Sequence, residues 1–241
     1  MGMESSERIR APHPLAAMAE PARAAWNVAE LMLSQQQLKA APRGDDRPIM
    51  LLPGLFNSDR SNFVMHGFLG KLGYRVFGWE LGRNFGVRAV GAEAERLIER
   101  VEAIRDETGE TVTMIGVSLG GIMARIVAHR RPDLVREIIT ISAPYAGSPT
   151  ATNVWKAFEL LTGEKIGDES VKARLAEAAL PLPMPSTALW SRSDGLVNGL
   201  ICRDDSCRAI EIHSSHMGVQ LKPETLLAIA DVLAGQAPDQ R

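Results

Sequence analysis

Cysteine is nearly absent: the chain of 241 residues holds two, Cys202 and Cys207. Two thiols are too few for a disulfide scaffold or a structural zinc site. Only a local bridge across the four intervening residues stays open, and only in an oxidising compartment. Long apolar runs are absent as well, and none approaches the roughly 18 residues of a membrane span. The first residues, MGMESSERIRAPHP, lack the apolar core of a secretory signal, so the expected location is cytoplasmic. Neither sign of charge is in excess, with 27 basic against 29 acidic residues and a net charge of -2. That balance argues against a general nucleic-acid binder. Internal repeats and low-complexity tracts are missing too.

What is present is an ordinary globular composition, 45% apolar and 23% charged, which excludes disorder as the main state. The length fits one domain with room for an inserted flap. Residues 1–14 are polar, carry two prolines, and are expected to be poorly ordered. Residues 15–40 are rich in helix formers, with Pro21 opening or interrupting the helix. Trp26, Val28, Leu31, Met32 and Leu38 would give it an apolar stripe for packing on the body. After a turn at APRGDDRP, strand and helix signals alternate. Strands are expected at 49–52, 74–79, 111–117, 137–142, 186–191 and 209–212, and helices at 60–72, 91–107, 119–130 and 223–234. That alternation implies a mostly parallel central sheet of about six strands with helices on both faces. The domain reading is a tail and helix over 1–46, then a body over 47–241 with a lid-like insertion at 145–185.

The informative stretch is Met114-Ile-Gly-Val-Ser-Leu-Gly-Gly121, which contains Gly116-x-Ser118-x-Gly120. An apolar strand signal precedes the serine and a helical run follows it. In such a turn the serine sits at the apex, and a Cβ two residues to either side would collide with neighbouring backbone. The N-terminus of the following helix then aims its amides at developing negative charge. A serine nucleophile needs a base, and the base an orienting acid. Of the five histidines, only His213 and His216 lie beyond the acid candidates. His216 sits among Ser214, Ser215 and Gly218, small residues that let a loop place it over the serine. His213 is expected to remain near a strand end, in packing or a supporting hydrogen bond. Asp194, in Ser191-Arg-Ser-Asp-Gly195, is the acid candidate. Asp133 reads as a helix cap, and Asp204 and Asp205 as a solvated face. The two oxyanion donors would be the backbone N–H of Leu119 and that of Leu55, with Phe56 as the alternative to Leu55. Arg83 and Asn84, at another strand end, either hold loops in place or contact substrate.

In order along the chain, PIMLLPGLFNSD, YRVFGWELGRN, TMIGVSLGGIMAR, ITISAPYAGSP, ALWSRSDGLV and SSHMG resemble an α/β-hydrolase of the lipase/esterase type, over residues 47–235. The likeness is to small bacterial members that lack the first strands of the full fold. It implies Ser118 as nucleophile, Asp194 as acid, His216 as base, and Leu55 and Leu119 as oxyanion donors. One departure is Pro53-Gly54 where such lipases often carry His-Gly. Backbone donation survives that change, but help from a histidine side chain does not.

In such enzymes the insertion after the fourth strand often forms a lid. Here it includes Val154-Trp-Lys-Ala-Phe-Glu-Leu-Leu161, a helix with Val154, Trp155, Phe158 and Leu161 on one side. Trp155, Phe158, Leu161 and Phe56 are therefore the candidates to line a substrate pocket. The expected partner is a small-molecule ester with an apolar acyl part. No metal or cofactor is required. An acyltransferase, a thioester, amide or lactone hydrolase, and a non-catalytic binding protein on the same scaffold are the competing readings. The oligomeric state stays open.

Overall fold

The computed structural model describes residues 9–236. Its helices are α1 (Pro14–Leu33), α2 (Gln35–Lys39), α3 (Phe63–Leu72), α4 (Val87–Val90), α5 (Glu95–Thr108), α6 (Leu119–Arg130), α7 (Trp155–Thr162), α8 (Glu169–Ala179) and α9 (Pro223–Leu233). Its strands are β1 (Pro48–Leu52), β2 (Arg75–Gly78), β3 (Val112–Val117), β4 (Val135–Ile141), β5 (Ser186–Trp190) and β6 (Arg208–Glu211).

All six strands are parallel, in the order β2-β1-β3-β4-β5-β6. Period-two alternation divides the core. Ile49, Leu51, Ile115, Val117, Ile139 and Ile141 face α3 and α9. Met50, Leu52, Met114 and Ile138 face α5 and α6 on the other side. A strand buried on both faces reads as one unbroken apolar run, and every residue of β3 is buried. At one edge, β6 is mostly exposed and carries Arg208 and Glu211, charges that discourage pairing with another chain.

The connections leave β1 in opposite directions, first out to β2 and then across to β3. The sheet order therefore reverses between β1 and β3, and a crevice opens beyond their carboxyl ends. Leu52 pairs with Gly116 there, so the loop after β1 and the turn after β3 lie side by side.

Several expectations require correction. Pro21 neither opens nor interrupts its helix: Pro14 occupies the first turn and α1 runs through Pro21 without a break. Contacts on both sides of the proline, from Glu20, Arg23 and Asn27, outweigh the one lost backbone bond. The proposed apolar stripe does not dock the helix. Trp26, Val28 and Met32 are exposed, while Leu31 and Leu38 reach the core. The buried residues of α1 are polar, Glu20 and Asn27. Of the tail at 1–14, residues 1–8 lie outside the described residues. The carbonyls of Arg10 and Pro12 accept hydrogen bonds from Asn198 and Asn153, so this part of the tail is tied to the body. α5 begins later than expected, because Gly91 and Ala94 both adopt positive φ. Cys202 and Cys207 are both free thiols. No helix among the described residues is long and apolar enough to cross a membrane.

Candidate active site

Ser118 sits between β3 and α6 at φ 50° and ψ -118°, a conformation that costs a non-glycine residue of order 1–3 kcal/mol. Its surroundings enforce it. A Cβ on Gly116 would lie 2.5 Å from the backbone of Gly120 and Gly121. One on Gly120 would lie 2.6 Å from the carbonyl oxygen of Leu52. Glycine alone lets the strand, the turn and the β1 loop approach this closely. The Ser118 N–H donates to the Ile141 carbonyl (2.8 Å), which fixes the turn against β4.

Asp194 follows β5 and His216 follows β6, so parallel pairing delivers both to the same sheet end as Ser118. His216 Nδ1 lies 2.7 Å from Asp194 Oδ2, and Nε2 lies 3.1 Å from Ser118 Oγ. With the Nδ1 proton directed at the carboxylate, Nε2 is left to accept the Ser118 hydroxyl proton. The other oxygen of Asp194 accepts from the N–H groups of Leu196 (2.9 Å) and Val197 (2.8 Å). The carboxylate is buried, with 1% of its side chain exposed, so these bonds fix its direction. Burial by itself would lower the pKa of His216. The facing Asp194 carboxylate, with a smaller contribution from Glu20, outweighs that and holds it above the ordinary value.

The competing acids are engaged elsewhere. Asp133 pairs with Arg131 (2.8 Å) within a short helical turn rather than capping a helix. Asp204 is not part of a solvated face; it is half-buried, 3.7 Å from Arg125. His213 is neither packed nor supporting, since its side chain is 81% exposed.

Leu119 opens α6, so its N–H has no intrahelical acceptor. The Leu55 N–H likewise has no backbone acceptor among the described residues. Phe56, the alternative donor, has its N–H committed to the Asn84 carbonyl (2.7 Å). Asn84 is fully buried and acts as a brace. Its Nδ2 donates to the Pro53 carbonyl (2.8 Å), and its Oδ1 accepts from Gly86 N–H (3.1 Å). Of the two roles open to Asn84, the observed contacts are those of a loop brace. Arg83 lies over the exposed Phe56 ring at 4.4 Å.

Beside Ser118 lies an apolar cavity of about 120 Å³, walled by Leu55, Ile122, Met123, Val154, Trp155 and Phe158. Phe56 and Leu161 are not among its lining residues. Phe56 packs edge-on against Phe85 at the surface (5.8 Å), and the Leu161 carbonyl accepts from Arg88 (3.4 Å). The insertion is anchored by Arg125, which is buried in α6. It donates to the carbonyls of Ala178 (2.5 Å) and Leu180 (2.8 Å) at the end of α8. The polar contacts that α1 makes with the loops of Asp194 and His216 had no signal in the local sequence.

Comparison with known proteins is consistent with this architecture. A family model described as alpha/beta hydrolase fold matches residues 47–162. A triacylglycerol lipase of Pseudomonas fragi is 31% identical over 120 residues, which cover 46% of this chain and 39% of that protein. The chain spans less than half the length of the curated relatives it matches. Among solved structures, Bacillus licheniformis lipase BlEst2 superposes with a TM-score of 0.60 at 18% identity, covering 80% of this chain and 94% of that one. Aspergillus fumigatus lipase B gives 0.59 at 17% identity, covering 85% and 58%. The chain has the α/β-hydrolase fold, and in sequence it is similar to lipases.

Proposed function

We propose that this α/β-hydrolase-fold chain is a serine hydrolase of carboxylic esters. Ser118 is its nucleophile, His216 its base and Asp194 the orienting acid. The observation that carries the reading is the hydrogen-bonded line from Asp194 through His216 to Ser118, beside two amides with no backbone acceptor. In the first half-reaction Ser118 Oγ attacks the ester carbonyl and its proton passes to His216 Nε2. The oxyanion that forms is held by the N–H groups of Leu55 and Leu119, each worth on the order of 10²–10³ in rate. The tetrahedral intermediate expels the alcohol, which takes the proton from His216, and an acyl-enzyme remains. Water then loses a proton to His216, attacks the acyl carbon and releases the acid, returning the proton to Ser118. No step calls for a metal or cofactor.

The cavity size narrows the substrate. An apolar space of roughly 150 Å³ holds a benzene ring, so about 120 Å³ suits an acyl group of similar or smaller bulk. Esters of butyrate to hexanoate are therefore the expected optimum. The test is hydrolysis of p-nitrophenyl esters from acetate to palmitate by the parent and Ser118→Ala, with fluorophosphonate labelling of both. Turnover that peaks at short acyl chains and disappears in Ser118→Ala supports the reading. Undiminished turnover in that variant refutes it. Added alcohol or thiol acceptors separate hydrolysis from acyl transfer, because they divert the acyl-enzyme from water.

A further inference from the structure

We propose that Glu20, on α1, is a positioning residue that sets the spacing between Asp194 and His216. This rests on the roles given to those two residues above.

Glu20 is wholly buried, yet it belongs to a helix some 175 positions upstream of its contacts. Its two carboxylate oxygens go to different loops. Oε1 accepts from the N–H of Gly195 (2.8 Å), the residue after Asp194. Oε2 accepts from the N–H of Met217 (2.7 Å), the residue after His216. One rigid group thus spans the acid loop and the histidine loop. Bonds that a carboxylate accepts from backbone amides are among the stronger ones in a folded chain.

The rest of α1 reinforces the bridge. Arg23 donates to the Ser193 carbonyl (2.5 Å) and Oγ (3.0 Å) on the acid loop. Asn27 donates to Ser215 Oγ (3.0 Å) on the histidine loop. The helix also lies close against both loops. A Cβ on Gly195 would stand 2.4 Å from the Ala16 carbonyl oxygen, and one on Gly218 would stand 3.5 Å from the Ala24 Cβ. The two loops also meet directly, since the Ser191 and Ser193 hydroxyls donate to the Ser214 carbonyl (2.9 and 3.2 Å), but among the described residues only Glu20 joins the residues that directly follow Asp194 and His216.

The charged and titratable groups around His216 are Asp194, Glu20 and Arg23, with the buried Cys202 thiol behind Asp194. Removing the Glu20 charge therefore has an electrical consequence as well as a geometric one. A nearby anion favours the imidazolium, so its loss lowers the pKa of His216.

The experiment compares the parent with Glu20→Gln, which keeps the shape and one acceptor, and with Glu20→Ala. Thermal melting reports on folding. Titration of the His216 ring nitrogens by NMR reads its pKa without any substrate, so it stands even if the ester-hydrolase reading fails. Glu20→Gln is expected to fold, to lower the His216 pKa, and to lower kcat by about 10–100-fold with KM changed less than about threefold. Glu20→Ala is expected to lose more kcat than Glu20→Gln. A His216 titration and a kcat indistinguishable from the parent in folded Glu20→Gln would overturn the proposal. So would a fall in melting temperature with both unchanged, which would assign Glu20 to stability alone. Failure of the parent on every ester, with the expected shift in titration, would leave this proposal standing and remove the ester-hydrolase reading instead.

Discussion

Replacing Asn84 with alanine tests how the loop after β1 is held. In the folded chain the Asn84 side chain satisfies two buried backbone groups, the Pro53 carbonyl at 2.8 Å and the Gly86 N–H at 3.1 Å. Alanine leaves both without a partner. Each orphaned group costs about 1–3 kcal/mol, so the two together cost about 2–6 kcal/mol if water does not enter. For a domain of this size each kcal/mol lowers the melting temperature by about 2–4 °C, which gives a fall of roughly 4–24 °C. The main chain of Asn84 still pairs with Phe56 and Asn57, so the loop loosens without being released. Leu55 N–H then no longer sits at a fixed distance from the oxyanion. Full loss of one such donor is worth on the order of 10²–10³, and partial misplacement is expected to cost about 10–100-fold in kcat. The assay is a calorimetric melt together with hydrolysis of p-nitrophenyl butyrate well below the variant's melting temperature. Arg83→Ala, whose side chain meets only the outside of the loop (3.3 Å to the Phe56 carbonyl), is the control and should change kcat less than about threefold. If Asn84→Ala melts within about 2 °C of the parent, the hydrogen-bond reasoning is wrong. If it melts lower with kcat unchanged, the loop does not set oxyanion stabilisation.

Three further outcomes follow from the same geometry. Asp194→Asn keeps the acceptor for Leu196 and Val197 but directs an N–H at His216 Nδ1; it should lower kcat by roughly 10⁴ through the wrong tautomer, as measured by steady-state hydrolysis. The raised pKa of His216 gives opposite pH trends. The rate constant kcat/KM, which needs the neutral ring, should rise with pH through a midpoint above the usual value near 6.5. The stabilising imidazolium–Asp194 pair is complete below about pH 6.5 and is lost as pH rises through the folded-state pKa, so the melting-temperature gap between parent and His216→Asn should shrink as pH rises above about 6.5. Phe158→Ala removes part of the cavity wall; it should lower kcat/KM for the hexanoate ester about fivefold, about 1 kcal/mol, and leave the acetate ester nearly unchanged. Equal effects on both esters would place Phe158 outside acyl recognition.

The sheet was readable because its strands are short apolar runs bounded by turn residues, and each expected strand is present within a residue or two. Gly116 and Gly120 were readable because a strand that turns directly into a helix leaves no room for a side chain. Asp194 beside Gly195, and His216 among small residues, carried weaker but usable signals, since both follow strands of a parallel sheet. The reading of α1 failed for a definite reason. Periodicity weights apolar residues, and Trp26 and Met32 led it to an apolar docking face. The helix docks instead through Glu20 and Asn27, whose partners are loop amides and hydroxyls far along the chain. Asn84 was open between bracing a loop and touching substrate, and only its contacts separate the two.

The sequence by itself therefore determined the alternation of strand and helix, the strained turn at Ser118 and the order of the candidate triad. These depend on local sterics and on periods of two and 3.6 residues, which neighbours along the chain carry. Tertiary structure alone decided which amides remain free beside Ser118, which side chains wall the cavity, and that a helix near residue 20 spans the loops of Asp194 and His216. Those are matters of distance between segments far apart in the chain, and no local pattern encodes which buried polar group will meet which partner.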